Sequence, residues 1–298
     1  MTIAIAPVTP DFVAEIGDVD LSRPLSAEDL AAIKEAFFKY AVLIFPNQHL
    51  DQDQHLGFAA NFGPLERSFT QERHGNKTRI RPELSDISNL NTENKIWAED
   101  SWQRLYKLAN RLWHADSSFK KVPAQASLLY ARVIPPIGGQ TEFADCRAAY
   151  DALPDDLKQR IDGLVAEHAI MYSRAKLGFL EFNEEDWKKM PPVPQVLVRT
   201  IPETGRKSIY IASHAGRIIG LPEKEGQALI ESLMAHTTQR QFVYSHRWRQ
   251  HDLVMWDNRT TLHRATQFED LRHPRDLQRA TVSDIANTCE QAGIAVPA

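Results

Sequence analysis

The sequence predicts a mainly β protein with flanking helices, an antiparallel barrel or jelly roll rather than a parallel α/β sheet. Three observations predict it. From Leu112 onward, short β-type runs alternate with Gly/Pro turns. The helical patterns decorate the ends of that stretch instead of alternating with each strand. Finally, no GxGxxG or GxxxxGK[ST] marks a nucleotide-binding α/β unit.

The elements follow in order. Ser26 stands three positions before Asp29, and Leu30, Ile33, Phe37 and Tyr40 recur at helical spacing, which predicts a capped amphipathic helix feeding the β-like run Ala41 to Phe45. Asp51 is placed to cap a second helix with Leu56, Ala59 and Phe62 on one face, stopped by Gly63-Pro64. Residues 67–110 are polar, with Arg67, Arg73, Lys77, Arg79 and Arg81 early, a short helix around Ser101 to Asn110, and little strand character. They are expected to form a lid or insert within a single domain spanning residues 1–298. Strands are then expected at Ser127 to Ile134 and Thr141 to Phe143, separated by Pro135-Pro136 and Gly138-Gly139, with two short helices before Gly163. Val196 to Ile201 and Ser208 to Ala212 flank Glu203-Thr204-Gly205 as a hairpin. Pro222 opens a helix carrying Leu229, Ile230, Leu233 and Met234, after which Phe242 to Trp248 and Leu253 to Trp256 return to strand pattern.

Composition narrows the function classes. A chain of 298 residues, 43% hydrophobic and 25% charged, builds a core without disulfides or structural metal, so a metal would serve function. Its net charge of −4 supplies no attraction for phosphate backbones or anionic membranes, and neither partner is expected. Cys146 and Cys289 belong to no CxxC or Cys/His cluster, the N-terminus lacks a basic segment ahead of an apolar one, and the longest apolar run is Tyr40 to Phe45. A cytoplasmic protein is expected. The Asn76-Lys77-Thr78 and Asn258-Arg259-Thr260 triplets are then chance matches to a glycosylation signal. No GxSxG or HExxH is present, which removes the simplest hydrolase and zincin readings.

The histidines are more informative. In a strand, residues i and i+2 share a face, so His114-Ala115-Asp116 offers an imidazole and a carboxylate to one metal ion. Two histidines and one carboxylate leave three adjacent positions open on iron, the set used by non-heme Fe(II) oxygenases. Composition alone predicts about 1.4 such triplets, and two occur, the other being His49-Leu50-Asp51. In the latter Asp51 has a capping role and the two side chains should diverge. A structural His/Asp hydrogen bond is the alternative for His114 and Asp116. His263, after the turn Asp257-Asn258-Arg259, is the candidate distal ligand or else a core histidine. Arg275 and Arg279 precede Ala280-Thr281-Val282, and as positions i and i+4 of a strand both could enter the cavity lined by His263. A guanidinium matches a carboxylate with two parallel bonds, so two arginines suggest two anions. Solvation, or pairing with Glu269, Asp270 or Asp276, is their alternative.

Five segments together resemble the taurine and dichlorophenoxyacetate dioxygenases, which depend on Fe(II) and 2-oxoglutarate. They are LIFPNQHLDQDQHLGFAANFGPLE at 43–66, LWHADSSF at 112–119, PPIGGQTEFADCRAAYDALP at 135–154, TQRQFVYSHRWRQHDLVMWDNRTTLHRAT at 238–266 and RDLQRATV at 275–282. The dichlorophenoxyacetate branch is the nearer likeness. The resemblance implies a double-stranded β-helix, a cupin-like jelly roll, with Fe(II) on His114, Asp116 and His263. It also implies 2-oxoglutarate and O2 as cosubstrates, Thr141 and Arg275 on the distal carboxylate of 2-oxoglutarate, and Arg279 on the acid group of a small-molecule carboxylate substrate. Gln71, with Arg73 nearby, stands where the dichlorophenoxyacetate enzymes have a substrate-binding lysine. The implied reaction is hydroxylation next to the ether oxygen of an aryloxyalkanoate, collapsing to a phenol and glyoxylate with release of succinate and CO2. Homo-oligomers are common in that family. The alternatives are the same chemistry on taurine or another alkylsulfonate, and, from other classes, a metal-binding jelly roll that holds small acids or a zinc hydrolase.

Overall fold

The structure is a computed structural model describing residues 3–68, 79–179, 182 and 184–296. Strands β1 (Ala4–Pro7) and β2 (Val13–Gly17) precede helix α1 (Ala27–Tyr40). Ser26 caps α1 by accepting the Asp29 N–H, and Ala41 ends it in the left-handed region at φ 64°. After β3 (Val42–Phe45), helix α2 (Gln52–Ala59) starts in a reciprocal box between Asp51 and Gln54. Both caps stand where the sequence places them.

Next come β4 (Leu84–Ser88), α3 (Trp102–Lys107), β5 (Ala124–Val133), β6 (Thr141–Asp145), α4 (Cys146–Asp151), α5 (Asp155–Ile161) and β7 (Val165–His168). Helices α6 (Ile170–Ala175) and α7 (Glu184–Lys189) lead to β8 (Val193–Val196), the antiparallel hairpin β9 (Val198–Thr200) and β10 (Lys207–Ile209), and β11 (Ala215–Ile218). Helix α8 (Glu223–Thr237), β12 (Val243–His246), β13 (Leu253–Asp257), β14 (Thr261–Ala265), β15 (Asp276–Ser283) and α9 (Thr288–Ala292) complete the order.

The main sheet has seven strands in the order β1-β2-β3-β13-β5-β15-β4, antiparallel throughout except for β2 beside β3. Its central strands are buried on both faces. On β13, Leu253 and Met255 join the core beneath α1 and α2, while Val254 and Trp256 turn inward to pack with Phe143 of β6. Strand β3 divides likewise, with Leu43 and Phe45 outward and Val42 and Ile44 inward. Apolar residues at every position are what a strand covered on both sides requires. The smaller sheet β12-β6-β14 closes the interior, and this pair of facing sheets is the jelly roll expected from the sequence.

One expectation is corrected. Residues 67–110 are not all excursion, because β4 lies within them and pairs with β15 from Ser88↔Asp276 to Leu84↔Ala280. Its sequence LSDIS has little strand propensity. Pairing and charge hold it: Arg79 bridges Asp86 at 2.9 Å and Asp276 at 2.6 Å.

Candidate metal centre and its two cavities

His263 lies in the middle of β14, opposite Phe143 of β6. His114 meets it through one isolated antiparallel bridge, with reciprocal N–H to O contacts of 3.0 and 2.8 Å. The expected His-x-Asp strand is thus corrected to a single bridge followed by a turn. Ser117 adopts φ 53°, and the turn carries Asp116 beneath the two imidazoles. The rings lie 4.1 Å apart. Asp116 Oδ1 is 3.8 Å from His114 Nε2, and Oδ2 is 3.6 Å from His263 Nε2. One ligand atom from each residue falls within a 4.8 Å cluster, and all three residues are buried.

The donor chemistry suits a divalent ion such as Fe(II). His114 Nδ1 donates to the Leu112 carbonyl at 2.7 Å, and because a carbonyl only accepts, Nε2 keeps its lone pair toward the cluster. Burial pushes the pKa of both His114 and His263 down, so both are neutral donors at pH 7. Burial works the other way on Asp116, but the Arg279 guanidinium, helped by the Ser127 hydrogen bond, holds the carboxyl down to about 2. Two neutral imidazoles and one carboxylate form the two-histidine, one-acid set that non-heme iron takes.

A polar frame fixes the acid. Ser127 Oγ donates to Asp116 Oδ2 at 2.7 Å, and Arg279 Nη1 donates to Oδ1. Asn258 accepts the Asp116 N–H at 3.1 Å and the Trp256 indole N–H at 3.0 Å, while its own amide donates to Ser127 Oγ at 2.9 Å. Nothing in the sequence marks Ser127, Trp256 or Asn258 as part of the site. Asn258, 1% exposed, reads there as an ordinary turn residue.

Two cavities meet at this cluster, and both are lined by His114 and Arg279. The smaller, about 90 Å³, reaches Thr141, Leu129, Trp256 and Arg275. Arg275 is 5% exposed, its Nε donates to the Gly139 carbonyl at 3.3 Å, and burial brings its pKa down to about 10. It has no acid partner among the described residues. Thr141 opens β6 and accepts the Trp248 indole N–H at 3.1 Å. Arg275 immediately precedes β15 and Arg279 lies within it, so the two guanidinium groups share a cavity as the spacing suggested.

The larger cavity, about 530 Å³, extends from Asp116 past Ile87, Phe119, Ile170, Tyr106, Trp102 and Arg174. Its wall includes α3 and neighbouring residues of the polar segment. Gln71 and Arg73, expected on the substrate side, lie outside the described residues. His49 and Asp51 diverge as expected, with Asp51 capping α2 and the His49 ring 4.2 Å from that of His251.

A family model described as "Taurine catabolism dioxygenase TauD, TfdA family" matches residues 4–281. The chain is 44% identical over 286 residues to an alpha-ketoglutarate-dependent 2,4-dichlorophenoxyacetate dioxygenase of Cupriavidus pinatubonensis, covering 96% of this chain and 99% of that protein. It is 37% identical over 273 residues to an (S)-phenoxypropionate/alpha-ketoglutarate-dioxygenase of Sphingobium herbicidovorans, covering 89% and 90%. Among solved structures it is similar to AAD-2 in complex with Mn(II) and N-oxalylglycine, at 46% identity and a TM-score of 0.88, covering 96% of this chain and all of that one.

Proposed function

The chain belongs to the taurine catabolism dioxygenase TauD/TfdA family, and from that premise we propose that it cleaves aryloxyalkanoates by hydroxylating the carbon beside the ether oxygen. It is a 2-oxoglutarate-dependent dioxygenase. The substrate class rests on its likeness to the dichlorophenoxyacetate and phenoxypropionate enzymes. One observation carries the assignment of parts: a buried His-Asp-His cluster where a small cavity ending in Arg275 meets a larger, partly aromatic one.

In this proposal His114, Asp116 and His263 hold Fe(II), which when bound couples O2 and the decarboxylation of 2-oxoglutarate to oxidation of a C–H bond. Arg275 and Thr141 hold the distal carboxylate of the cosubstrate in the small cavity. Arg279, at the junction, takes the acid group of the substrate, so the adjacent methylene lies over the cluster while the ring occupies the large cavity. Ser127 and Asn258 keep the Asp116 carboxylate turned to the two imidazoles. The hemiacetal formed by hydroxylation collapses to a phenol and glyoxylate. Gln71 and Arg73 are assigned to the substrate side, and the part of residues 67–110 outside β4 to a lid over it, within a single domain.

No helix among the described residues is long and apolar enough to cross a membrane, and with a net charge of −4 we infer a cytoplasmic enzyme without nucleic-acid or membrane partners. A homo-oligomer is the expected state, checked by light scattering. The test of function is phenol release from 2,4-dichlorophenoxyacetate by anaerobically iron-loaded protein given 2-oxoglutarate and O2, with succinate counted in parallel. Phenol matching succinate is expected. Succinate without phenol would move the substrate to alkylsulfonates or other acids, and neither product from loaded protein would favour a small-acid binder or a zinc hydrolase.

A further inference from the structure

The large cavity contains a cation that the proposed function leaves unused. Arg174 lies in the last turn of α6 and lines the cavity together with His114, Asp116 and Arg279. The other cations withdrawn from water along this wall have acids nearby. Arg79 bridges Asp86 and Asp276, Lys120 bridges Glu66 at 2.7 Å, and Arg279 meets Asp116. Lys107 feels the charge of Asp86 and donates to the Ser88 carbonyl at 2.9 Å. Arg174 has no carboxylate partner among the described residues, and the one titratable side chain that supports its charge is the Tyr106 hydroxyl. In lacking a carboxylate it matches Arg275, the guanidinium assigned above to an anionic ligand, and burial pushes its pKa down as well.

Its geometry shows which direction remains open. One face of the guanidinium lies over the Tyr106 ring at 4.0 Å, and Tyr106 is itself stacked on Trp102 at 4.7 Å. Nη1 donates to Ser173 Oγ at 3.1 Å, and Ser173 is held by donating to the Ile170 carbonyl at 2.7 Å. Nε is buried and has no hydrogen-bond partner among the described residues. With a face covered and part of the edge taken by the Ser173 and Tyr106 hydroxyls, the remaining capacity is for an in-plane acceptor rather than a second ring. A desolvated cation without a counter-charge is costly, and an acceptor on the ligand removes that cost.

Resting on the aryloxyalkanoate reading, we infer that Arg174 is a specificity residue for the end of the substrate remote from the ether. It would receive an anionic or strongly accepting group, such as a carboxylate, on the far side of the aryl ring, while Arg279 receives the acid beside the ether.

The test is calorimetric binding, under nitrogen, to protein loaded with Mn(II) and 2-oxoglutarate. The ligands are 4-methylphenoxyacetate, 3-carboxyphenoxyacetate and 4-carboxyphenoxyacetate, and the proteins are wild type, Arg174→Met and Arg174→Lys. Wild type should bind one ring acid at least about tenfold more tightly than the methyl compound, as a charge-assisted bond to a desolvated arginine implies. That ratio should vanish in Arg174→Met and persist in part in Arg174→Lys. Wild type showing no preference for either ring acid overturns the inference, and this comparison stands even if a variant does not fold. Equal weakening of all three ligands in Arg174→Met also overturns it, because Arg174 would then serve their common acid group. Phenol release from phenoxyacetate is measured separately on wild type loaded with Fe(II) in place of Mn(II) and given 2-oxoglutarate and O2. Its absence with the binding preference intact would sink the ether-cleavage reading and leave the role of Arg174 standing, whereas phenol without the preference would do the reverse.

Discussion

Burial governs the side chains at and around the site, and the effect depends on what each can pair with. Arg275 has a backbone carbonyl but no acid among the described residues, which suits the anion-binding role proposed for it. Arg275→Ala should raise the KM for 2-oxoglutarate on the order of 100-fold, as loss of one partner from a buried charge pair implies, and an unchanged KM in steady-state kinetics would remove it from that role. His55 shows burial acting on stability. Its Nε2 meets the Leu128 carbonyl at 3.1 Å, and burial lowers its pKa from 6.5 to about 4. The folded protein keeps it neutral while the unfolded chain takes up a proton below pH 6.5, so its contribution is complete above about pH 6.5 and is lost as pH falls toward 4. That window is worth roughly 3 kcal/mol. His55→Gln should therefore show a shallower loss of denaturation midpoint across it than wild type, and parallel profiles would refute this. At this scale the residues with distinctive chemistry were legible: His114, Asp116, His263, Thr141, Arg275 and Arg279 all reach the cluster or its small cavity. Asn258 and Arg174 were not, since an asparagine in a turn and an arginine in a helix take their meaning from what packs against them.

Among the elements, the turn that leads into β6 has the most direct influence on the site. Gly139 has φ +70°, and a Cβ there would stand 2.9 Å from Pro135 Cγ and 3.3 Å from Arg275 Nε. Gly139→Ala is thus strained in its backbone and presses on Arg275 at once. The expected result is a several-fold higher KM for 2-oxoglutarate with kcat less affected; a variant that lost only thermal stability would separate the turn from Arg275. Elements with strong local signals were legible from sequence, including α1 and α2 through their caps, α8 through its apolar face, and β3, β5 and β13 through apolar runs buried on both sides. Strands β4 and β14 were weaker signals because their polar residues face ion pairs or the metal cluster rather than a core. β1, exposed along its length, has no buried face to print a pattern, and β7 (VAEH), β8 (VPQV) and β11 (AGRI) are short strands whose apolar residues are interrupted by polar, Pro or Gly positions.

For the molecule as a whole, the cluster joins segments far apart in the chain, so a bound ion acts as a cross-link that only the folded state supplies. At 100 times its dissociation constant an ion that binds only that state adds about 2.7 kcal/mol. Mn(II) should then raise the melting temperature by roughly 5 °C in calorimetry, chelation should reverse the shift, and His263→Ala should abolish it. A response retained in that variant would place the ion elsewhere. The sheet order carries one more consequence. In β3-β13-β5-β15-β4, strands made early are separated by strands made late, so β3, β5 and β4 cannot complete their pairing until β13 and β15 have been synthesised. A growing chain therefore presents bare strand edges for most of its synthesis, the condition in which neighbouring copies pair with each other. Folding must wait for long-range closure, and soluble yield should depend more on how slowly the chain is made and how well its edges are shielded than on the stability of the finished sheet.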